Sequence, residues 1–307
     1  MMMRVSTALM HQNGVGLMQQ QMQSLLKTQT QLSSQQKMQS AADAPSDWSA
    51  AMGVDQALEQ NQRYQANASS AQHRLGLQEN AMADGINVLA RVRTLVIQLN
   101  TGTQSAESRS AIGVELAGLR DQLLSIGNRD DGKGRFLFGG TQDDVQPFAY
   151  DPNNAPALAY AGNNDTMDLP IDSSRIIALG QPGQPVFAPA GGDDDVVSLI
   201  DRFVAMANSG SAPIDQADFS DALSQLGRAE SRFSNTRASV GLRLGVVQDA
   251  QDSLSQQNIS AQATLSDLRD VDVAEAASRL QRELMSLQAA QSSFAQIQRL
   301  SLFDFIR

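Results

Sequence analysis

The chain ends much as it begins, and its middle is different from both. Residues 1–45 and roughly 259–307 are rich in Gln and Ala, poor in aromatics until the last dozen residues, and carry thin apolar seams at heptad spacing. A seam of one or two apolar residues per turn cannot build a core on its own helix, so each end requires another helix to lie against. Two unfinished helices at the two ends of one chain predict a protein built to assemble.

At the N-terminal end Met18, Met22, Leu25 and Leu32 fall on one face, with Gln29, Gln36 and Gln39 interleaved. Ten Gln and almost no charge lie between residues 12 and 39. In the C-terminal helix Ile259, Val273, Leu280, Leu287 and Phe294 stand seven apart or at multiples of seven, and Ala263, Ala277, Leu284 and Gln291 supply the alternate position. The last residues turn abruptly apolar, with Leu300, Leu302, Phe303, Phe305 and Ile306 close together. Such a patch is costly in water and marks an interface. Two plainer readings stay open on pattern alone: an ordinary intramolecular bundle, and terminal Phe residues that cap the chain's own core.

Between the ends, Pro45 followed by Ser46 and Asp47 reads as a helix stop and a new N-cap. A long helix is predicted from about Trp48 to Leu99, with Leu75, Met82, Leu89 and Val96 spaced by seven. Trp48 itself reads as a local packing residue. After a turn at 100–105, a second helix carries Leu116, Leu119, Leu123 and Ile126 and stops at Gly127. Then the character changes. Seven of the nine prolines lie between 147 and 189, and short β-type runs cover 135–138, 147–150, 158–161 and 175–179. Between Thr141 and Asp195 nine Asp face one basic residue, Arg175, so this segment holds eight of the ten net negative charges. It reads as an acidic, β-rich insert facing solvent. Helix is expected to resume near Val196 and to run again from about Phe219 to the C-terminus.

Composition removes several classes of function. With 307 residues the chain exceeds one typical domain, and 41% apolar against 5% aromatic residues suits long bundles. A net charge of −10 without a Lys/Arg cluster disfavours nucleic-acid backbones. Cys is absent, which excludes disulfides and thiolate chemistry. No run reaches the roughly 18 apolar residues of a membrane span, and the start lacks the apolar stretch of a Sec signal, although other export routes leave no such mark. Asp143-Asp144 and Asp193-Asp194-Asp195 lack the ligand spacing of a calcium loop and read as solvated loops. His11 and His73 have no nucleophile motif beside them. The glycines of 132–140 match no phosphate- or dinucleotide-binding pattern and read as a hairpin entry. No enzymatic activity, cofactor or metal is expected.

The residues also carry a resemblance. Arg4-Val5-Ser6-Thr7, then Gln31-Leu32-Ser33-Ser34 leading to Ala44-Pro45-Ser46-Asp47, resemble the N-terminal signature of bacterial flagellins. Asp270-Val271-Asp272-Val273-Ala274-Glu275-Ala276, Leu287-Gln288-Ala289-Ala290 and Leu300-Ser301-Leu302-Phe303 resemble their C-terminal signature. Gly134-Arg135-Phe136-Leu137-Phe138-Gly139-Gly140 with Pro147-Phe148, and the paired Phe near the end, are similar to the hook–filament junction branch of that family rather than to flagellin itself. The family's Met-Arg-Val-Ser-Thr opening starts at Met3, which makes Met3 a candidate initiator. Residues 150–195 match nothing in the family.

The resemblance implies a chain that goes out and comes back, giving a mainly α fold: a long antiparallel helical bundle or coiled coil with both termini paired, plus a small β-rich inserted domain. The expected division is 1–45 with 259–307 as an inner coiled-coil layer, 46–140 with 196–258 as a helical rod, and 141–195 as the insert. The implied role is structural, in the extracellular flagellum after type III export. Its implied partners are further copies of itself in a ring, the adjacent hook-associated junction protein, flagellin and an export chaperone. The residues expected at the assembly interface are Arg4, Ser6, Met22, Leu25, Leu32, Val273, Leu280, Leu284, Leu287, Phe294, Leu300, Leu302, Phe303 and Phe305. A flagellin filament subunit is the nearest alternative. A cytoplasmic helical scaffold, the more remote one, would require heptads that run unbroken through the middle.

Overall fold

The computed structural model describes residues 2–101, 104–154, 157–190, 192–210 and 214–305. Of the residues expected at the interface, Arg4, Ser6, Leu300, Leu302, Phe303 and Phe305 are seen as helix backbone only, and their side chains lie outside the described residues.

In chain order the elements are α1 (Met2–Ser34), α2 (Pro45–Leu99), α3 (Ala106–Gly127), β1 (Phe148–Tyr150), β2 (Leu158–Tyr160), β3 (Met167–Pro170), β4 (Ile176–Leu179), α4 (Gln184–Phe187), α5 (Val196–Ala207), α6 (Gln216–Arg269) and α7 (Val273–Phe305). The fold is mainly helical, with two small antiparallel hairpins, β1–β2 and β3–β4. Two compact units emerge, residues 1–60 with 257–307 and residues 61–256.

Residues 61–256 enclose the principal core. Met82, Leu89, Val92 and Val96 of α2 pack with Leu116 and Leu123 of α3, Ile200 and Phe203 of α5, and Leu226 and Phe233 of α6. At its centre Phe187 meets Phe138, Phe148 and Phe233, with ring centroids 5.4, 5.0 and 5.0 Å away. Offset and edge-on ring pairs of this kind add stability beyond the area they bury. A glycine at position 85 lets this happen, because a Cβ there would collide with the edge of the Phe233 ring. In a second cluster Ala68, Ala71 and Leu75 of α2 face Val240, Val247 and Ala250 of α6, and the hairpin β3–β4 covers them with Ile177 and Leu179. Outside these clusters α2 and α6 are joined by a two-bond ion pair from Arg93 to Glu230, at 2.8 and 2.6 Å. Arg237 and Glu79 form a further pair at 2.6 Å.

Local rules place most boundaries. Ser105 caps α3 by accepting from the Ser108 N–H, and Asp195 caps α5 by accepting from the Val197 and Ser198 N–H groups. The structure departs from the sequence reading at four places. Residues 135–138 are not a strand; the segment makes only an isolated bridge between Asp130 and Phe136, since Leu137 and Phe138 are drawn into the core instead. Met167–Pro170 is a strand despite Asp168 and Pro170, because it pairs on one side only, with β4, and of its four residues only Leu169 turns towards the core. The helix running from Gln216 breaks at 270–272 before α7 begins, so it does not continue to the end.

The fourth departure concerns the Asp tracts, which are fasteners rather than solvated loops. Asp143 is buried between Arg74 (3.1 Å) and Arg135 (3.0 Å). Asp193 pairs with Arg228 and Arg232, Asp194 pairs with Arg202, and Asp195 is the α5 cap. Among the described residues no group of His, Cys, Asp and Glu could hold a metal ion. No described helix is long and apolar enough to cross a membrane.

Candidate functional site

The two ends of the chain form a site with each other. Helices α1 and α7 run antiparallel: Phe294 lies opposite Gly14 and His11, Gln21 opposite Ser286, and Ser24 opposite Glu283. Gly14 is part of the fit, since a Cβ there would sit 3.1 Å from the Phe294 ring. The His11 ring also meets that ring, tilted by 58° with 5.0 Å between centroids.

The seam between the helices follows a heptad, but an uneven one. On α1 the positions turned inward are Gly14, Met18, Gln21, Leu25, Thr28 and Leu32. On α7 they are Ala276, Leu280, Glu283, Leu287, Ala290 and Phe294. Leu25, Leu32, Leu280, Leu287 and Phe294 therefore come together, each half-buried. Met22, Val273 and Leu284 do not: they remain 45%, 50% and 46% exposed. The alternate seam position is one residue away from the apolar one, so Gln21, Thr28 and Glu283 hold inward positions while Met22 and Leu284 are left outside.

Helix geometry gives that displacement a direction. Met22 and Leu26 lie about 100° around α1 from the seam, and Val273 and Leu284 about 70° around α7 in the same rotational sense. In an antiparallel pair these offsets bring the four side chains to one side of the hairpin. The opposite side carries the polar cross-links, Gln21 Nε2 to Ser286 Oγ at 2.9 Å and Ser24 Oγ to Glu283 Oε1 at 2.7 Å. The hairpin thus has one flank of exposed apolar side chains and one that carries the polar cross-links together with a single exposed leucine, Leu17.

The base of the hairpin is a joint. The break between α1 and α2 and the break between α6 and α7 meet there in a two-bond bridge. The Lys37 N–H donates to the Arg269 carbonyl at 2.6 Å, and the Val271 N–H donates to the Gln35 carbonyl at 3.0 Å. Side chains complete it. Ser34 Oγ accepts from the Gln36 N–H, and Gln31 Nε2 donates to the Lys37 carbonyl. Asp272 Oδ1 accepts from the Ala274 and Glu275 N–H groups and so caps α7. Asp43 accepts from the Gln39 and Ser40 N–H groups and pairs with Lys27 at 3.0 Å. The Lys27 contact, with those amides behind it, holds the Asp43 carboxyl at about 2. Arg269 pairs with Asp55 across the same region. Sequence reading singled out Gln31–Ser34 and Asp270–Ala276 as separate signatures. Their meeting in space could not be read from either stretch alone, because both are too polar to register as core.

Comparison with known proteins places this geometry. A model of the bacterial flagellin N-terminal helical region matches residues 5–143, and one of the bacterial flagellin C-terminal helical region matches 223–306. The flagellar hook-associated protein 3 of Escherichia coli K12 is 25% identical over 320 aligned residues, covering 98% of this chain and 99% of that one. The flagellin of Bacillus subtilis 168 is 28% identical over 71% of each chain. The solved structure of FlgL from Xanthomonas campestris is 25% identical and superposes with a TM-score of 0.61, over 69% of this chain and 99% of that one. The two matched regions together take in more than two thirds of the sequence and contain every residue of the α1/α7 seam and its joint. The chain belongs to the bacterial flagellin family.

Proposed function

We propose that this protein is a structural subunit of the bacterial flagellum that joins the hook, through the adjacent junction protein, to the flagellin filament. The observation that carries this reading is an end-to-end correspondence with a flagellar hook-associated protein 3, against a match to flagellin that stops short of the full chain. The physical logic lies in the hairpin α1/α7. Polar groups dilute its internal seam, and an apolar flank is left for something else to cover. Neighbouring copies in a tubular array supply that cover. Each large apolar side chain so buried stabilises by roughly 1.5–3 kcal/mol, enough for a few contacts per subunit to fix an otherwise marginal pair of helices. Met22, Leu26, Val273 and Leu284 belong to this interface, and the terminal Leu300, Leu302, Phe303 and Phe305 extend it.

Three further parts of the reading follow from the same assignment. The subunit works outside the cell, in the flagellum; it reaches that place by type III export; and a chaperone covers the C-terminal apolar residues beforehand. Residues 1–45 with 259–307 act as the assembly layer, 46–140 with 196–258 as the rod, and 141–195 as an insert whose Phe148 and Phe187 reach into the rod's core.

Electron microscopy of a deletion strain tests the role. The expected phenotype is hooks without filaments and flagellin released into the medium; hooks bearing normal filaments would overturn it.

A further inference from the structure

Away from the tails, residues 61–256 contain a cleft of about 260 Å³. His73 and Arg74 of α2, Lys133 and Arg135 of the loop after α3, and Met167 and Leu179 of the β3–β4 hairpin wall it. Its charge runs against that of the whole chain. Two carboxylates are present, and both are already engaged: Asp143 between Arg74 and Arg135, and Asp131 by the N–H groups of Lys133 and Arg135, at 2.9 and 3.2 Å. Arg74 and Arg135 are balanced in part by Asp143, and the cleft as a whole carries one positive charge in excess, in a protein of net charge −10. Among the described residues the Lys133 ammonium makes no ion pair at contact distance, although its field acts on Asp131 in the same wall, and His73 is an exposed residue of that wall. Gly132 and Gly134, at φ 78° and 81°, hold the loop in a turn that a side-chain-bearing residue rarely adopts, so Lys133 is presented at its tip. Next to these charges Met167 offers apolar surface. The cleft suits a carboxylate with an apolar neighbour.

The chain carries such a surface on α3. Val114 is 73% exposed, far more than an apolar residue in the middle of a packed helix requires. Glu107, Glu115 and Asp121 surround it on the outward face, all exposed. Glu115 pairs with Arg91 and Asp121 with Arg120 at 2.9 Å, and both carboxylates stay exposed in pairs of little energetic weight.

We infer that the cleft receives the α3 face of a second copy of the chain, with Val114 against Met167 and the α3 carboxylates against Lys133 and His73. This inference rests on the reading of the protein as an assembling subunit. The contact is heterologous, one surface meeting a different one, which is the kind that propagates around a ring rather than closing a dimer. Rim charges of this type steer association and fix register.

Cysteine cross-linking in intact flagella tests it, and the absence of Cys from the chain makes the test clean. Cells lacking the protein are supplied with the full chain carrying Val114→Cys, Lys133→Cys or both, and treated with a short bismaleimide. Within one copy the two sites are separated by about 20 Å of helix, so the reagent cannot bridge them internally. The expected result is a ladder beyond the dimer with the double variant and no link with either single variant. Restored filaments without a ladder overturn the cleft contact and leave the junction role standing. A dimer from a single variant also overturns it, since that requires like sites to meet. A charge swap gives an independent readout: Lys133→Glu lowers incorporation into flagella by about tenfold, and Glu115→Lys with Asp121→Lys in the same chain recovers it. Failure of the swap to recover incorporation counts against the contact.

Discussion

The backbone N–H of Lys37 donates to the carbonyl of Arg269, 2.6 Å away, and this bond joins two chain breaks separated by most of the sequence. Together with its companion from Val271 to Gln35, it makes the turn after α1 and the turn before α7 a single structure. What happens to either turn therefore happens to both.

Acid should open this joint. The Asp43 carboxyl is held at about 2, below its ordinary value, by Lys27 and by the Gln39 and Ser40 amides. A carboxylate with a depressed pKa stabilises the folded state above its unfolded value of about 3.9, and that contribution is lost as pH falls towards the folded value. The joint should thus be intact at pH 5 and loosen between about pH 4 and pH 2. The Gln39 and Ser40 amide resonances should shift across that window. The same shift persisting in Asp43→Asn would show that another group is responsible.

Leu280→Asp combined with Leu287→Asp places two charges in the α1/α7 seam. Assembly into flagella should fail, while the thermal unfolding of residues 61–256 stays within about 1 °C, because distant sites act independently. Collapse of the central transition in calorimetry would mean that the seam belongs to the main core.

Glu283 is the weak layer of the same seam. Its Oε1 accepts from Ser24, but its Oε2 and the nearby Gln21 Oε1 are buried with no hydrogen-bond partner. A buried unpaired polar atom costs about 1–3 kcal/mol. Glu283→Leu should therefore raise amide protection along α1 and α7 in the isolated protein by up to about tenfold. It should also loosen the choice of register, as removing a buried polar layer does in coiled coils. Reduced protection would refute the assignment of Glu283 as a destabilising layer.

Gly85→Ala tests the core. The added methyl meets the Phe233 ring, which is itself wedged against Phe187. Overpacking of this kind costs about 1–3 kcal/mol, and residues 61–256 should melt correspondingly lower. Phe233→Leu in the same chain should recover part of the loss; an additive further drop would place the strain elsewhere.

Much of this fold is legible in the sequence, for a physical reason. Leu75, Met82, Leu89 and Val96 repeat with the period of a helix and are fully buried in α2. Gly127 closes α3 and Pro45 opens α2, because their backbone preferences are local, but the helix stop expected at Pro45 comes earlier, after Ser34. The errors arise where long-range partners override local pattern. Nothing around Asp193 reveals that Arg228 and Arg232, more than thirty residues away, will bind it. Leu137 and Phe138 look like strand residues, yet they serve as core plugs. In the tails, sequence periodicity found Leu280, Leu287 and Phe294 but could not separate Glu283 from Leu284 as the inward neighbour. That choice depends on the partner helix, and the partner is at the far end of the chain.

That distance has a kinetic consequence. The bond from Gln21 to Ser286 spans 265 positions, so α1, synthesised first, has no mate until almost the last residue has been made. Closing so long a loop is entropically unfavourable and slow, and no local contact can substitute for it. The opening segment accordingly has nothing to pair with throughout translation, and the coiled pair is among the last parts of the molecule that can form.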